Sequence, residues 1–88
     1  MTRTITICNK LGLHARAAAR FVQLASRFES EIRLTRGSRE ANGKSIMGVM
    51  MLAAGKGTEL ALIIEGNDAE EAMAELVGMV ENRFGESE

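Results

Sequence analysis

Three short runs of this sequence alternate apolar with polar residues, and they limit what the chain can become. In the run Thr2 to Cys8, Ile5 and Ile7 alternate with Thr4 and Thr6. Ile32 and Leu34 do the same between Glu31 and Thr35, and Leu60, Leu62 and Ile64 between Thr58 and Glu65. A period of two belongs to a strand that is buried on one side only. Arg36-Gly37-Ser38-Arg39 reads as a turn, and Glu40 to Asn42 as the return strand of a hairpin. A sheet built from such strands needs cover on one face and can leave the other to water.

The cover is written in a different period. From Ala15 to about Arg27, Ala18, Phe21, Val22, Ala25 and Phe28 recur at three- and four-residue spacing, the stripe of an amphipathic helix. Ala72, Met73, Leu76, Val80 and Phe84 form a second stripe, in a helix expected from Ala69 to about Phe84. Asp68 is expected to cap that helix. Glu70 and Glu71 in its first turn and Arg83 near its end match the helix dipole. A short helix is expected from Ser45 to about Ala53, with the Ser45 hydroxyl as N-cap and Ala54-Gly55-Lys56-Gly57 as its break. The element order is βαββαβα. The fold class is α+β, an open-faced β-sandwich with helices on one face. The tail Gly85-Glu86-Ser87-Glu88 is expected to fray.

Eighty-eight residues hold one domain, residues 1–88. The chain has three Phe, six Met and neither Trp nor Tyr, so its core is aliphatic. Eleven basic and twelve acidic residues give a net charge of −1. That balance and the scarcity of aromatics argue against nucleic-acid binding. A single cysteine, Cys8, excludes an internal disulfide and favours a reducing cytosol. Its place at a strand end suggests a buried structural role. No apolar block marks a signal peptide or a membrane span, so the chain is expected to be complete, cytoplasmic and free of anchors.

The one histidine, His14, falls where the loop Asn9-Lys10-Leu11-Gly12-Leu13 meets the first helix. A helix N-terminus offers unpaired N–H groups and partial positive charge, a ready place for an anion. Imidazole is nucleophilic near neutral pH and can hold a phosphoryl group covalently. Arg16 would add a charge-assisted bond. Small residues at Ala15, Ala17, Ala18 and Ala19 are expected to leave the site open to a large partner. One His and one Cys cannot build a four-ligand zinc site, so no metal is expected. No motif places a nucleophilic serine near His14. On the residues alone, His14 is a candidate beside the plainer reading of a surface or capping histidine.

Gly43-Lys44-Ser45 invites comparison with a phosphate-binding P-loop. That motif needs a glycine five positions before Gly43, where this chain has Ser38. A domain this small also has no room for a nucleotide-binding α/β sheet. Ser45 is left as a cap for a helix too short to bury all of Ile46, Met47, Val49, Met50, Met51 and Leu52. Exposed methionine at such a place suits a docking surface.

Asn9-Lys10-Leu11-Gly12-Leu13-His14-Ala15-Arg16, together with Gly43-Lys44-Ser45-Ile46-Met47, resembles HPr, the histidine-containing phosphocarrier family of the bacterial phosphotransferase system (the HPr/NPr family). The resemblance spans essentially the whole chain. It implies a four-stranded antiparallel sheet with three helices on one side. It implies that His14 takes a phosphoryl group on Nδ1 from enzyme I, which draws it from phosphoenolpyruvate. His14 would then pass the group to an enzyme IIA domain, with Arg16 steadying it. Ser45 would match the family's regulatory serine, phosphorylated in some bacteria by an ATP-dependent kinase/phosphorylase. Ala15, Ala19, Arg20, Ile46, Met47 and Met50 would form the docking face. The chain would be a carrier without cofactors, working as a monomer, rather than an enzyme. One departure stands out: the family usually reads His-x-Arg-Pro, and here Ala17 holds the proline position. Alanine is an excellent helix former, so the helix is expected to start in the same place. Two other readings compete: a regulatory adaptor that docks through Ile46 and Met47 with His14 incidental, and a ferredoxin-like RNA binder.

Overall fold

A computed structural model describes residues 1–88. The strands are β1 (Thr2–Thr6), β2 (Glu31–Arg36), β3 (Arg39–Asn42) and β4 (Glu59–Glu65). The helices are α1 (Ala15–Ala25), α2 (Ile46–Met50) and α3 (Ala69–Glu81), followed by a 3₁₀ turn at Arg83–Gly85. The four strands form one antiparallel sheet in the order β1-β4-β2-β3. This is the expected open-faced α+β sandwich in the expected element order.

Register follows from the alternation. Ile5 sits opposite Leu60, Ile32 opposite Ile64, and Leu34 between Leu62 and Ala41. All of these point to the helical side and are buried. A one-residue slip would turn every one of them to water, so register is strongly specified. The core gathers 25 buried residues, almost all aliphatic, with Phe21, Phe28 and Phe84 its only aromatics. On the open face, Arg33 lies among Glu40, Glu65 and Glu31 at 2.9, 3.1 and 3.5 Å. Lys44 Nζ donates to the Phe28 carbonyl at 2.6 Å, tying the approach to α2 to the segment after α1. The lysine of Gly-Lys-Ser is thus used within the fold.

The structure corrects several expectations. β1 ends at Thr6, yet Ile7 still exchanges bonds with the loop before β4: its amide donates to the Thr58 carbonyl at 2.9 Å, and its carbonyl accepts from Gly57 at 2.7 Å. Ala17 and Ala18 are fully buried, so they belong to the core rather than to an open face. The Ala17 amide has no acceptor, so a proline at this position would forfeit no hydrogen bond. Cys8 is half-buried, and its Sγ donates to the Val80 carbonyl at 3.2 Å, a structural role.

α3 ends at Glu81, three residues early. Arg83 and Phe84 then take left-handed backbone conformations, with φ of 56° and 54°. Each costs roughly 1–2 kcal/mol for an L-residue. Burying the Phe84 side chain returns roughly 1.5–3 kcal/mol, and Arg20 Nη1 donates to the Phe84 carbonyl at 2.6 Å. The turn therefore holds, and residues 85–88 are folded back over α1 rather than frayed.

Asp68 stands at the start of α3 but does not cap it. Its carboxylate instead accepts from the Ser30 hydroxyl at 2.5 Å and from the amides of Ser30 and Glu29 at 3.0 and 2.9 Å. These bonds fasten the beginning of β2 to α3. The Ser30 hydroxyl first, and then the Glu29 amide, hold the Asp68 carboxyl below its ordinary value of 3.8. A depressed carboxyl stabilises the folded state above the unfolded pKa and loses that contribution as pH falls through the folded one. In paired urea titrations, wild type is expected to exceed Asp68→Asn in stability by a constant margin at neutral pH. That margin shrinks once pH drops below the ordinary carboxylate range. A margin unchanged at low pH would contradict the assignment.

Candidate functional site

α1 begins on His14. Its backbone is extended (φ −71°, ψ 177°), and its carbonyl accepts the first helical bond, from the Ala18 amide at 2.8 Å. The amides of Ala15, Arg16 and Ala17 have no acceptor within the protein, and no side chain caps them. The imidazole thus stands at a helix end with three free donors and the positive pole of the dipole.

The loop before His14 is held by its backbone. The Leu13 amide donates to the Ala54 carbonyl at 2.9 Å, and Asn9 Nδ2 donates to the Gly12 carbonyl at 2.8 Å. Gly12 has φ of +68°, and a Cβ placed on it would lie 2.4 Å from the Ala54 oxygen. Only glycine allows the two loops to approach this closely.

The C-terminal segment completes the site. Glu86 Oε2 lies 2.5 Å from His14 Nε2, and Glu86 Oε1 accepts from Asn9 Nδ2 at 2.9 Å. The Lys10 amide donates to the Glu88 carbonyl at 2.9 Å, and their side chains pair at 3.6 Å. Asn9 is fully buried, and its Oδ1 has no partner. Such an orphan costs roughly 1–3 kcal/mol, which the clamp between loop and tail must offset. The Asn9 amide first, and the imidazole second, hold the Glu86 carboxyl below its ordinary value of 4.5. The His14 side chain keeps 29% of its surface exposed and that of Glu86 15%, so the ring is open from one side. Lys10, Leu11, Arg16 and Arg20 line the surrounding cleft with the tail.

Ser45 is the N-cap of α2, and its Oγ accepts from the Gly48 amide at 3.1 Å, as expected. α2 packs beside α1 and buries Val49. Ile46 and Met50 are exposed and Met47 strongly so, while Ala15 is exposed and Ala19 and Arg20 half-buried on α1. Sequence reasoning missed four residues here. Leu11, in the His14 cleft, and Met51, just after α2, are 66% and 71% exposed. Asn9 and Glu86 join loop to tail. Glu86 is far from His14 in sequence, and only the glycine after an aromatic helix end hinted at a turn.

Comparison with known proteins places the chain in a family. A family model described as the PTS HPr component phosphorylation site matches residues 1–82. The chain belongs to the HPr family. The phosphocarrier protein HPr of Cupriavidus necator is 52% identical over 88 residues, covering 100% of this chain and 99% of the relative. That of Pseudomonas aeruginosa is 56% identical over 85 residues, covering 96% and 94%. The crystal structure of HPr-C-His from Thermoanaerobacter tengcongensis superposes with a TM-score of 0.95 at 48% identity, covering 100% and 99%. As a member of the HPr family this chain is a phosphocarrier of the phosphotransferase system rather than an enzyme.

The close approach of the two loops yields a test. Gly12→Ala is expected to destabilise the fold by about 2 kcal/mol, combining left-handed strain with the clash at Ala54. Urea unfolding measures the loss. A change below about 0.5 kcal/mol, the range of ordinary surface substitutions, would show that the loop contact is not as described.

Proposed function

We propose that this chain accepts a phosphoryl group on Nδ1 of His14 from phosphorylated enzyme I and passes it to an enzyme IIA domain. One observation carries the reading: the only histidine stands at the start of α1, beside three unpaired amides, in a cleft it shares with Arg16. In the step, the Nδ1 lone pair attacks the donor's phosphorus. The donor's bond to phosphorus breaks, and its electron pair leaves with the donor. The free amides of α1 and the Arg16 guanidinium provide bonds for the phosphoryl oxygens. The partner supplies alignment and the remaining charge stabilisation. Donor and acceptor use one overlapping face, formed by Ala15, Ala19 and Arg20 on α1 and Ile46, Met47 and Met50 on α2, so transfer is sequential. The working form is a monomer in the cytoplasm. No helix is long and apolar enough to cross a membrane.

The test is direct. Incubated with phosphoenolpyruvate and enzyme I, the wild-type chain is expected to gain one acid-labile, base-stable phosphoryl group, and His14→Ala none. Labelling that persists in His14→Ala, or that never occurs in wild type, would refute the reading. The adaptor alternative predicts the second of these outcomes.

Ser45 is the proposed regulatory site, a substrate for an ATP-dependent serine kinase. Its hydroxyl is half-exposed beside Ile46 and Met47. A phosphate there adds about −1.5 to −2 charges. The start of α2 tolerates negative charge, whereas an apolar docking face does not. Ser45→Asp is expected to keep its melting temperature while its rate of phosphorylation by enzyme I falls about tenfold, equivalent to about 1.4 kcal/mol of docking energy. A wild-type rate in that variant would remove Ser45 from the regulatory role.

A further inference from the structure

We propose that Glu86 is a positioning residue of the relay: its carboxylate keeps a proton on His14 Nε2 throughout the cycle, so that Nδ1 attacks when the ring receives and neutral imidazole departs when the ring donates. The inference deepens the phosphocarrier reading and rests on it.

The geometry leaves little choice of proton position. An ionised carboxylate only accepts hydrogen bonds. Glu86 Oε2 lies 2.5 Å from Nε2, so the hydrogen between them sits on the ring as Nε2–H. The neutral tautomer with Nε2 protonated carries its lone pair on Nδ1. The carboxylate itself cannot swing away freely. Its other oxygen is bound by Asn9 Nδ2, whose residue is fully buried, and the chain beyond is tied by Lys10 to Glu88. The turn at Phe84, with its carbonyl held by Arg20, delivers the tail to this place.

The chemistry uses this proton without moving it. When Nδ1 forms the N–P bond, the ring retains Nε2–H and becomes a cation, which the adjacent carboxylate balances. When the group leaves, the P–Nδ1 electrons return to Nδ1 and the leaving group is neutral imidazole. Had Nε2 lost its proton, the leaving group would be imidazolate, a far stronger base and a far poorer leaving group. Glu86 therefore sets the alkaline limit of transfer. The other charges around the ring are Arg16 and Arg20 of α1, Lys10 of the loop and Glu88 of the tail. Glu88 pairs with Lys10, so Glu86 is the acidic group that touches the imidazole.

The experiment uses wild type, Glu86→Gln and Glu86→Asp. Each is phosphorylated with phosphoramidate, which needs no partner protein, and the Nε2 proton of phosphohistidine is followed by ¹⁵N NMR against pH. Loss of a contacting opposite charge is expected to lower the deprotonation midpoint in Glu86→Gln by about one pH unit or more, and Glu86→Asp recovers part of it. Transfer back to enzyme I from Glu86→Gln then falls about tenfold at pH 8, with wild-type speed near pH 6, the factor following from that one-unit shift. Equal midpoints in wild type and Glu86→Gln overturn the proposal. So does a loss of rate that is the same at both pH values, which would mean that Glu86 merely holds the tail. If wild type takes no phosphoryl group from enzyme I, the relay reading fails, while the phosphoramidate measurement still decides whether Glu86 holds the proton.

Discussion

Everything else in this fold depends on β4. It is the last strand in the chain and the most apolar, and it pairs with both β1 and β2. Its inward residues Leu60, Leu62 and Ile64 are almost wholly buried, each worth roughly 1.5–3 kcal/mol against exposure. Without β4 the N-terminal strand has no neighbour, and the β2–β3 hairpin is a two-stranded ribbon too small to stand alone. Pairing of β1 with β4 also brings the loop after β1 against the loop before β4. The bonds Ile7–Thr58, Gly57–Ile7 and Leu13–Ala54 follow from that approach. His14 is placed by a sheet it does not belong to.

The site shows how little a carrier must do alone. The helix end supplies free donors, and Arg16 supplies a cation. The ring stays open on one side, and exposed apolar side chains of α2 lie on the neighbouring helix. The same logic explains α2. A five-residue helix cannot stand by its own propensity. Its Ser45 cap, its single buried Val49 and the bonds from Arg36 to the carbonyls of Leu52 and Ala53 hold it. Its other large apolar side chains, Ile46, Met47 and Met50, stay exposed.

Much of this was legible in the sequence. Alternation placed three strands, and the turn at Gly37 the fourth, all within two residues of their ends, because a one-sided sheet imposes a period that no other element shares. The helical stripes were equally clear, and Ser45 was recognisable as a cap. Asp68 was misread. A carboxylate before a helix usually caps it, but here Ser30 and Glu29 offer three donors from across the fold. Ala17 was misread for a related reason: alanine is compatible with either surface or core, so its type says nothing about which side of α1 it faces, whereas the spacing had already put Ala18 on the apolar stripe. The tail was misread most. Four small and polar residues look disordered, and their order depends on Phe84 turning inward.

The sequence by itself determined the class of fold, the single imidazole of the chain and its place at a helix start. These are local properties, set by periodicity and by residue chemistry. Only the tertiary structure decided what stands against that ring. Glu86 lies 72 positions from His14, and no periodicity links the two. Their contact follows from two left-handed residues at the end of α3, a buried phenylalanine and a buried asparagine. Each was visible in the sequence, and none of them could have been joined to the others before the chain was folded.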